Sequence, residues 1–239
     1  MNNSLSINRN QLKYIAIVAM LIDHIAWKFV PTYSVLGQAM HFVGRLTGPI
    51  MAYMVYEGYI HTRNVKKYAL RLGIFALVSW IPYSLFETGS WPVPQFGVIY
   101  TLFLGLIAVW MWDKANFPKG LKAFFVVLLC IISIFGDWPV FDVLWPFFLF
   151  IYRDDSKEQW RSFIIIIIIM VSITNFLYLT TDTPFIQFFQ FGAFLVPVVI
   201  KFLYNGESGS RNAFHKWFFY IFYPLHLLVL ALLKYYVLV

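Results

Sequence analysis

The chain reads as an all-α integral membrane protein, a polytopic bundle of about nine transmembrane helices with the N-terminus inside and the C-terminus outside. Three observations predict this. Of its 239 residues, 61% are hydrophobic and 21% aromatic while only 12% carry charge, an apolar share well above that of ordinary soluble domains. Apolar runs long enough to cross a bilayer, about 20 residues for a hydrocarbon core about 30 Å thick, fill nearly the whole sequence. Lys and Arg gather at alternate junctions between those runs, as they do on the cytoplasmic side of membrane helices.

The spans fall near 12–30, 41–60, 67–86, 97–113, 119–136, 139–152, 161–179, 185–204 and 214–236. The first follows Arg9 and Lys13. Although basic residues before an apolar run also mark signal peptides, Asp23 and His24 interrupt this run and no small-residue cleavage site follows, so it is expected to be retained. Arg63, Lys66, Lys67 and Arg71 surround the junction between the second and third spans. Lys114, Lys119 and Lys122 follow the fourth; Arg153, Lys157 and Arg161 follow the sixth; Lys201, Arg211 and Lys216 flank the last junction. The opposite junctions, around 31–40, 87–96, 137–138 and 180–184, hold only Lys28 at an edge, and Lys234 stands near the C-terminus. The sixth span is short and interrupted by Pro139 and Pro146, so it is tilted, broken or re-entrant. In the seventh, the run Ile164 to Ile169 reads as lipid-facing filler, and "YNGESGSRN" before the last span reads as a short cytoplasmic loop. No repeat or linker divides the chain, which is read as one domain over 1–239. The formal net charge of +7 is accounted for by the basic junctions, and no nucleic-acid partner is expected. The single Cys130 excludes an intrachain disulfide.

Ionisable residues inside such spans are costly and mark functional sites by default. His24 lies eleven residues beyond Lys13 and His226 ten beyond Lys216, roughly 15–16 Å from the inner boundary in each case. They either share one cavity or each bond to a neighbouring helix. Asp23 needs a partner, because an isolated carboxylate in the core costs about 2.5–3.5 kcal/mol. Adjacent helical residues point about 100° apart, so His24 is poorly placed for that, and Arg45 on the second span is the expected cation. The pair either organises a site or serves packing alone. Glu57 and His61, four apart, share a face near the inner end of the second span. With Arg63 and Arg71 they form a polar, basic mouth suited to a phosphate-bearing anion. There is no P-loop, Rossmann glycine signature, His-Glu-x-x-His or Gly-x-Ser-x-Gly, so ATP hydrolysis, dinucleotide redox chemistry, zinc proteolysis and serine hydrolysis lack support. No metal site is expected. A mid-membrane histidine remains able to deprotonate an amine or hydroxyl attacking a thioester.

The stretches "LKYIAIVAMLIDHIAW", "VGRLTGPIMAYMVYEGYIHTRNVKKYALRL", "VIYTLFLGLIAVW" and "YIFYPLHLLVL" resemble, in order, signatures of the TraX family over essentially the whole chain. The family takes its name from a conjugal-transfer protein that N-acetylates pilin, and it is similar to polytopic acyltransferases that modify cell-envelope glycans. The resemblance implies acetyl-CoA as donor, bound from the cytoplasm, and transfer within or across the membrane. With the basic mouth at His61, Arg63 and Arg71 as the expected entry, the expected activity is transfer to an exported peptide or envelope glycan in the bacterial cytoplasmic membrane. It carries over Asp23, His24, Arg45, Glu57, His61, Arg63 and His226, with His24 as general base, Asp23 beside it, and Arg45, Glu57 and His226 organising the site. One segment departs: where the family usually has Asp-aromatic-Gly, Trp138 is here followed by Pro139. The rival expectation is a transporter in which Asp23, His24, Glu57 and His226 relay protons and no bond is made.

Overall fold

The computed structural model describes residues 6–90, 93–210 and 212–238. Arg211 and the C-terminal Val239, which enter the charge and orientation expectations, lie outside them. Among the described residues the fold is helical without strands: α1 (Arg9–Phe29), α2 (Val35–Gly44), α3 (Thr47–His61), α4 (Val65–Thr88), α5 (Val98–Lys114), α6 (Lys119–Ile132), α7 (Phe141–Ile151), α8 (Ser156–Tyr178), α9 (Leu195–Leu203) and α10 (Ala213–Leu232).

Local signals set the helix ends. Asn8 and Gln11 cap α1 reciprocally, the Gln11 amide donating to Asn8 Oδ1 at 3.1 Å and the Asn8 amide to Gln11 Oε1 at 2.8 Å, which satisfies two first-turn donors at once. Ser34 caps α2 and Asn64 caps α4 through their side-chain oxygens. Gly89 ends α4 with φ 67°, a left-handed turn that glycine adopts without the steric cost of a Cβ.

Three described helical runs are long and apolar enough to cross a membrane: α4, α8 and Ala213–Val237. The 21-residue α1 and 17-residue α5 follow the runs expected at 12–30 and 97–113, while three other expected spans take different forms. The run expected at 41–60 is two helices, because after Gly44 the Arg45 amide bonds both the His41 and Val43 carbonyls and tightens the last turn of α2. The chain restarts at Thr47 with Pro49 in the first turn, where a missing N–H costs nothing. The run expected at 139–152 is the 11-residue α7, with Pro146 inside it. The run expected at 185–204 is a 3-10 stretch, Phe188–Phe194, leading into the nine-residue α9. The isoleucine run is not all filler: Ile166 and Ile167 are buried while Ile164, Ile165, Ile168 and Ile169 are exposed, the split expected when one helical stripe packs inward.

The chain divides into two compact units, Met1–Met51 with Ile164–Phe222, and Ala52–Phe163 with Tyr223–Val239. Because the boundaries fall inside α3, α8 and α10, no change of composition along the sequence marks them. In the first unit α1 packs on α2, and α2 on the Phe188–Phe194 stretch. Gln38 joins the latter pair, its side-chain amide donating to the Ile186 carbonyl at 2.9 Å and its oxygen accepting from the Phe189 amide at 3.1 Å. Gly192 lies so close to the Phe42 carbonyl that a Cβ there would collide with it. In the second unit α5 is central, packing on α4, α6 and α7. Its core includes Leu104, Ala108, Val126, Val143 and Phe147.

Candidate functional site

Asp23 is buried in the interior of α1, and its carboxylate is held at both oxygens by α2. Arg45 Nη2 donates to Oδ2 at 2.5 Å, and His41 Nδ1 donates to Oδ1 at 2.7 Å. The two donors stand four apart, so they share one face of α2 and its final turn. Gly44 makes the approach possible, since a Cβ on it would overlap the Asp23 side chain. An aromatic wall closes the cluster: the His41 ring lies 4.3 Å from that of Trp27 and 5.0 Å from that of Phe189, centroid to centroid. The Arg45 guanidinium sits 5.1 Å over Phe189, a favourable cation–π contact. Two opposite charges and an imidazole thus leave water together, with each carboxylate oxygen bonded, the condition under which a buried ion pair is tolerated.

His24, the expected base, is buried beside Asp23 in sequence. The imidazole that Asp23 holds is a different one. His41 is 0% exposed, and its Nε2 is buried with no hydrogen-bond partner among the described residues. His41 is not among the residues the sequence points to; its signal, the i, i+4 spacing to Arg45, is weak because His41 stands at the edge between the junction expected at 31–40 and the next span.

The remaining expected residues lie in the second unit. Glu57 is buried, and His61 Nδ1 donates to its backbone carbonyl at 2.9 Å and stands 3.8 Å from its carboxylate. His226 is buried and meets Tyr223 edge to face, with ring centroids 5.6 Å apart. His24 and His226 belong to different units. A cavity of about 660 Å3 opens in the second unit, lined by Tyr56, Tyr59, Thr62, Arg63, Lys114 and Arg153 among others, a volume in the range of small-molecule sites. Of the three residues expected at the basic mouth, Arg63 lines it; His61 and Arg71 do not. Arg71 lies 5.7 Å from the Tyr68 ring centroid instead. Lys114 and Arg153, which the sequence marks as basic residues at junctions, line the cavity as well.

A third buried carboxylate, Asp142, is not among the residues the sequence points to. Asp142 is 0% exposed, accepts from Thr101 Oγ1 at 2.8 Å through Oδ2, and leaves Oδ1 buried without a partner among the described residues. Among the described residues, no group of three or more His, Cys, Asp and Glu side chains is placed to hold a metal ion.

Comparison with known proteins adds two findings. A family profile described as TraX protein matches residues 8–234. The chain is also 27% identical over 249 residues, covering 98% of each sequence, to a protein of Dichelobacter nodosus named as a probable fimbrial assembly protein FimC, serogroup H1. No solved structure matches.

Proposed function

The chain belongs to the TraX family, and from that premise we propose that it is a multi-pass acyltransferase of the bacterial cytoplasmic membrane. It moves an acetyl group from cytoplasmic acetyl-CoA to an exported acceptor. The observation that carries the proposal is the buried Asp23–Arg45–His41 cluster next to His24, because so many ionisable groups withdrawn from water in an apolar chain need a use beyond packing. His24 acts as general base. It takes a proton from the acceptor amine or hydroxyl as that atom adds to the thioester carbonyl; the C–S bond then breaks, and coenzyme A leaves as a thiolate that receives the proton. Asp23, Arg45 and His41 hold α1 and α2 in register beside that base. The relative named as a fimbrial assembly protein favours a filament subunit with a free N-terminal amine as acceptor over an envelope glycan.

The test is to incubate the purified protein with acetyl-labelled acetyl-CoA and membrane extract, following label transfer and free-thiol release together. Wild type is expected to label an acceptor while His24→Ala, folded as judged by its melting curve, loses about 100-fold or more, the scale for removing a general base. Turnover by His24→Ala equal to wild type would remove the proposed mechanism at its centre.

A further inference from the structure

We propose that the cavity of the second unit binds the diphosphate-bearing nucleotide portion of a donor, with Arg63, Lys114 and Arg153 and the N-terminus of α4 as its phosphate cradle. This rests on the reading of the protein as a coenzyme A-dependent transferase and adds where, and by which groups, the donor is held.

Three stretches far apart in sequence converge on the cavity: residues 62–65, which lead into α4; Asp113 and Lys114, which end α5; and Phe150 in the last turn of α7 with Arg153 and Asp154 just after it. Each brings a cation. Arg63 makes no ion pair among the described residues, so its planar fork is available for two phosphate oxygens. Arg153 is aimed in advance: its guanidinium stacks on Phe150 at 4.2 Å and its Nη1 donates to the Phe150 carbonyl at 3.1 Å, which reduces the side-chain freedom lost on binding. Asn64 spends its side chain on the Lys67 amide at 2.9 Å and leaves the first-turn amides of Val65 and Lys66 without an intrahelical acceptor. A 24-residue helix with no acidic residue in its first turn therefore presents its positive end to the cavity.

The two acids in the lining leave it net positive. Asp113 accepts from Tyr59 Oη at 2.5 Å and offsets Lys114 at 2.9 Å, against a lining that also holds Arg63 and Arg153. Asp154 is 3.8 Å from Arg153 Nε, and its side chain is 90% exposed, so water screens it. Tyr56, Tyr59 and Phe150 add aromatic faces, suited to a purine ring beside its phosphates. Orientation of membrane helices accounts for basic residues at junctions. It does not require three of them to line one aromatic cavity at a helix N-terminus.

An anionic lipid headgroup shares the phosphate chemistry, so the test separates the sources. The full chain in detergent is titrated with coenzyme A, ADP, adenosine, and micelles carrying phosphatidylglycerol. Coenzyme A and ADP are expected to bind and adenosine to bind at least tenfold more weakly. The double variant Lys114→Gln with Arg153→Gln is expected to weaken coenzyme A by tenfold or more, while Lys119→Gln, an equal type of charge loss outside the lining, stays within twofold. Unchanged affinity in the double variant, adenosine binding as tightly as ADP, or displacement by phosphatidylglycerol of a site that ADP does not protect would each overturn the assignment. The outcome is separable from that of the acyltransferase reading. Nucleotide binding without transfer to any acceptor leaves the cradle standing and removes the reaction. Transfer with an unchanged KM for acetyl-CoA in the double variant does the reverse.

Discussion

Asp23 can sit in the interior of an apolar helix because two donors on one face of α2 neutralise and bond it. Removing the charge from one side alone is therefore more damaging than its position suggests. Asp23→Asn leaves the Arg45 guanidinium buried against a neutral amide, and breaking a buried pair in this way costs about 3–5 kcal/mol. The variant is expected to melt well below wild type in detergent and to lose any acetyl-transfer activity with it. Gly44→Ala keeps every charge but forces a Cβ into the Asp23 side chain, so it should lower the melting temperature as well. Were both variants to melt with wild type, the cluster would not hold α1 to α2. The pairing of Asp23 with Arg45 was legible in the sequence from cost alone, since a buried carboxylate demands a cation and Arg45 was the one at hand. His41 was not legible, because nothing about a neutral-looking "QAMHFVGR" distinguishes a loop from a helix face until the end of α2 at Gly44 is known. Lys114 and Arg153 were masked by a sufficient simpler explanation, the basic bias of inside junctions.

At the level of elements, the segment between α6 and α7 is where, among the described residues, the local backbone works against its sequence. Trp138 and Val140 have φ of 52° and 68°, the only non-glycine residues with positive φ among those described. For a β-branched residue this is a real outlier. The geometry is over-determined from outside: the Val140 amide donates to Ser133 Oγ at 2.7 Å, and Ser133 Oγ in turn donates to the Cys130 carbonyl at 2.6 Å. Pro139 in this segment was visible in the sequence; which residues would carry the strained angles was not, because that depends on where Ser133 and the start of α7 fall. A residue in such a region costs about 1–3 kcal/mol, while glycine gives back about 0.4–1 kcal/mol through the freer unfolded chain. Val140→Gly is expected to be neutral to stabilising by about 1 kcal/mol, read as a melting temperature at or above wild type. A clear loss of stability would show that the Val140 side chain contributes more by packing than its backbone costs.

For the whole molecule, orientation rests on which junctions share an end, and each unit can be asked separately. In the second unit the residues at 62–65, 113–114 and 150–154 meet at one cavity, so three of the strongly basic junctions lie on one side. At the other end of α4, Phe96 bridges to Gly136, its amide donating to the Phe135 carbonyl at 2.7 Å and its carbonyl accepting from the Asp137 amide at 2.9 Å. Tyr235 packs there as well, its hydroxyl 3.5 Å from the Phe86 and Glu87 carbonyls and its ring against Gly89. The C-terminal end thus gathers with the two cation-poor junctions, a helix length of about 36 Å away from Asn64. In the first unit the Ile7 amide donates to the Leu203 carbonyl and the Arg9 amide to the Glu207 carbonyl, each at 2.8 Å, which puts the start of α1 at the same end as residues 203–207. Basic residues stay on the cytoplasmic side of short junctions, so the N-terminus, Asn64 and the 205–212 loop are predicted to be inside and the C-terminal end outside. That pattern needs an odd number of crossings, although only three described helices reach spanning length and apolarity on their own. The shorter ones, such as the 17-residue α5 at about 26 Å, cross only where flanking turns or a thinned bilayer make up the difference. Reporter fusions after residues 8, 64 and 207 should report the cytoplasmic side, and a fusion at the C-terminal end the external side. Fusions after residue 64 and at the C-terminal end reporting the same side would exclude nine crossings.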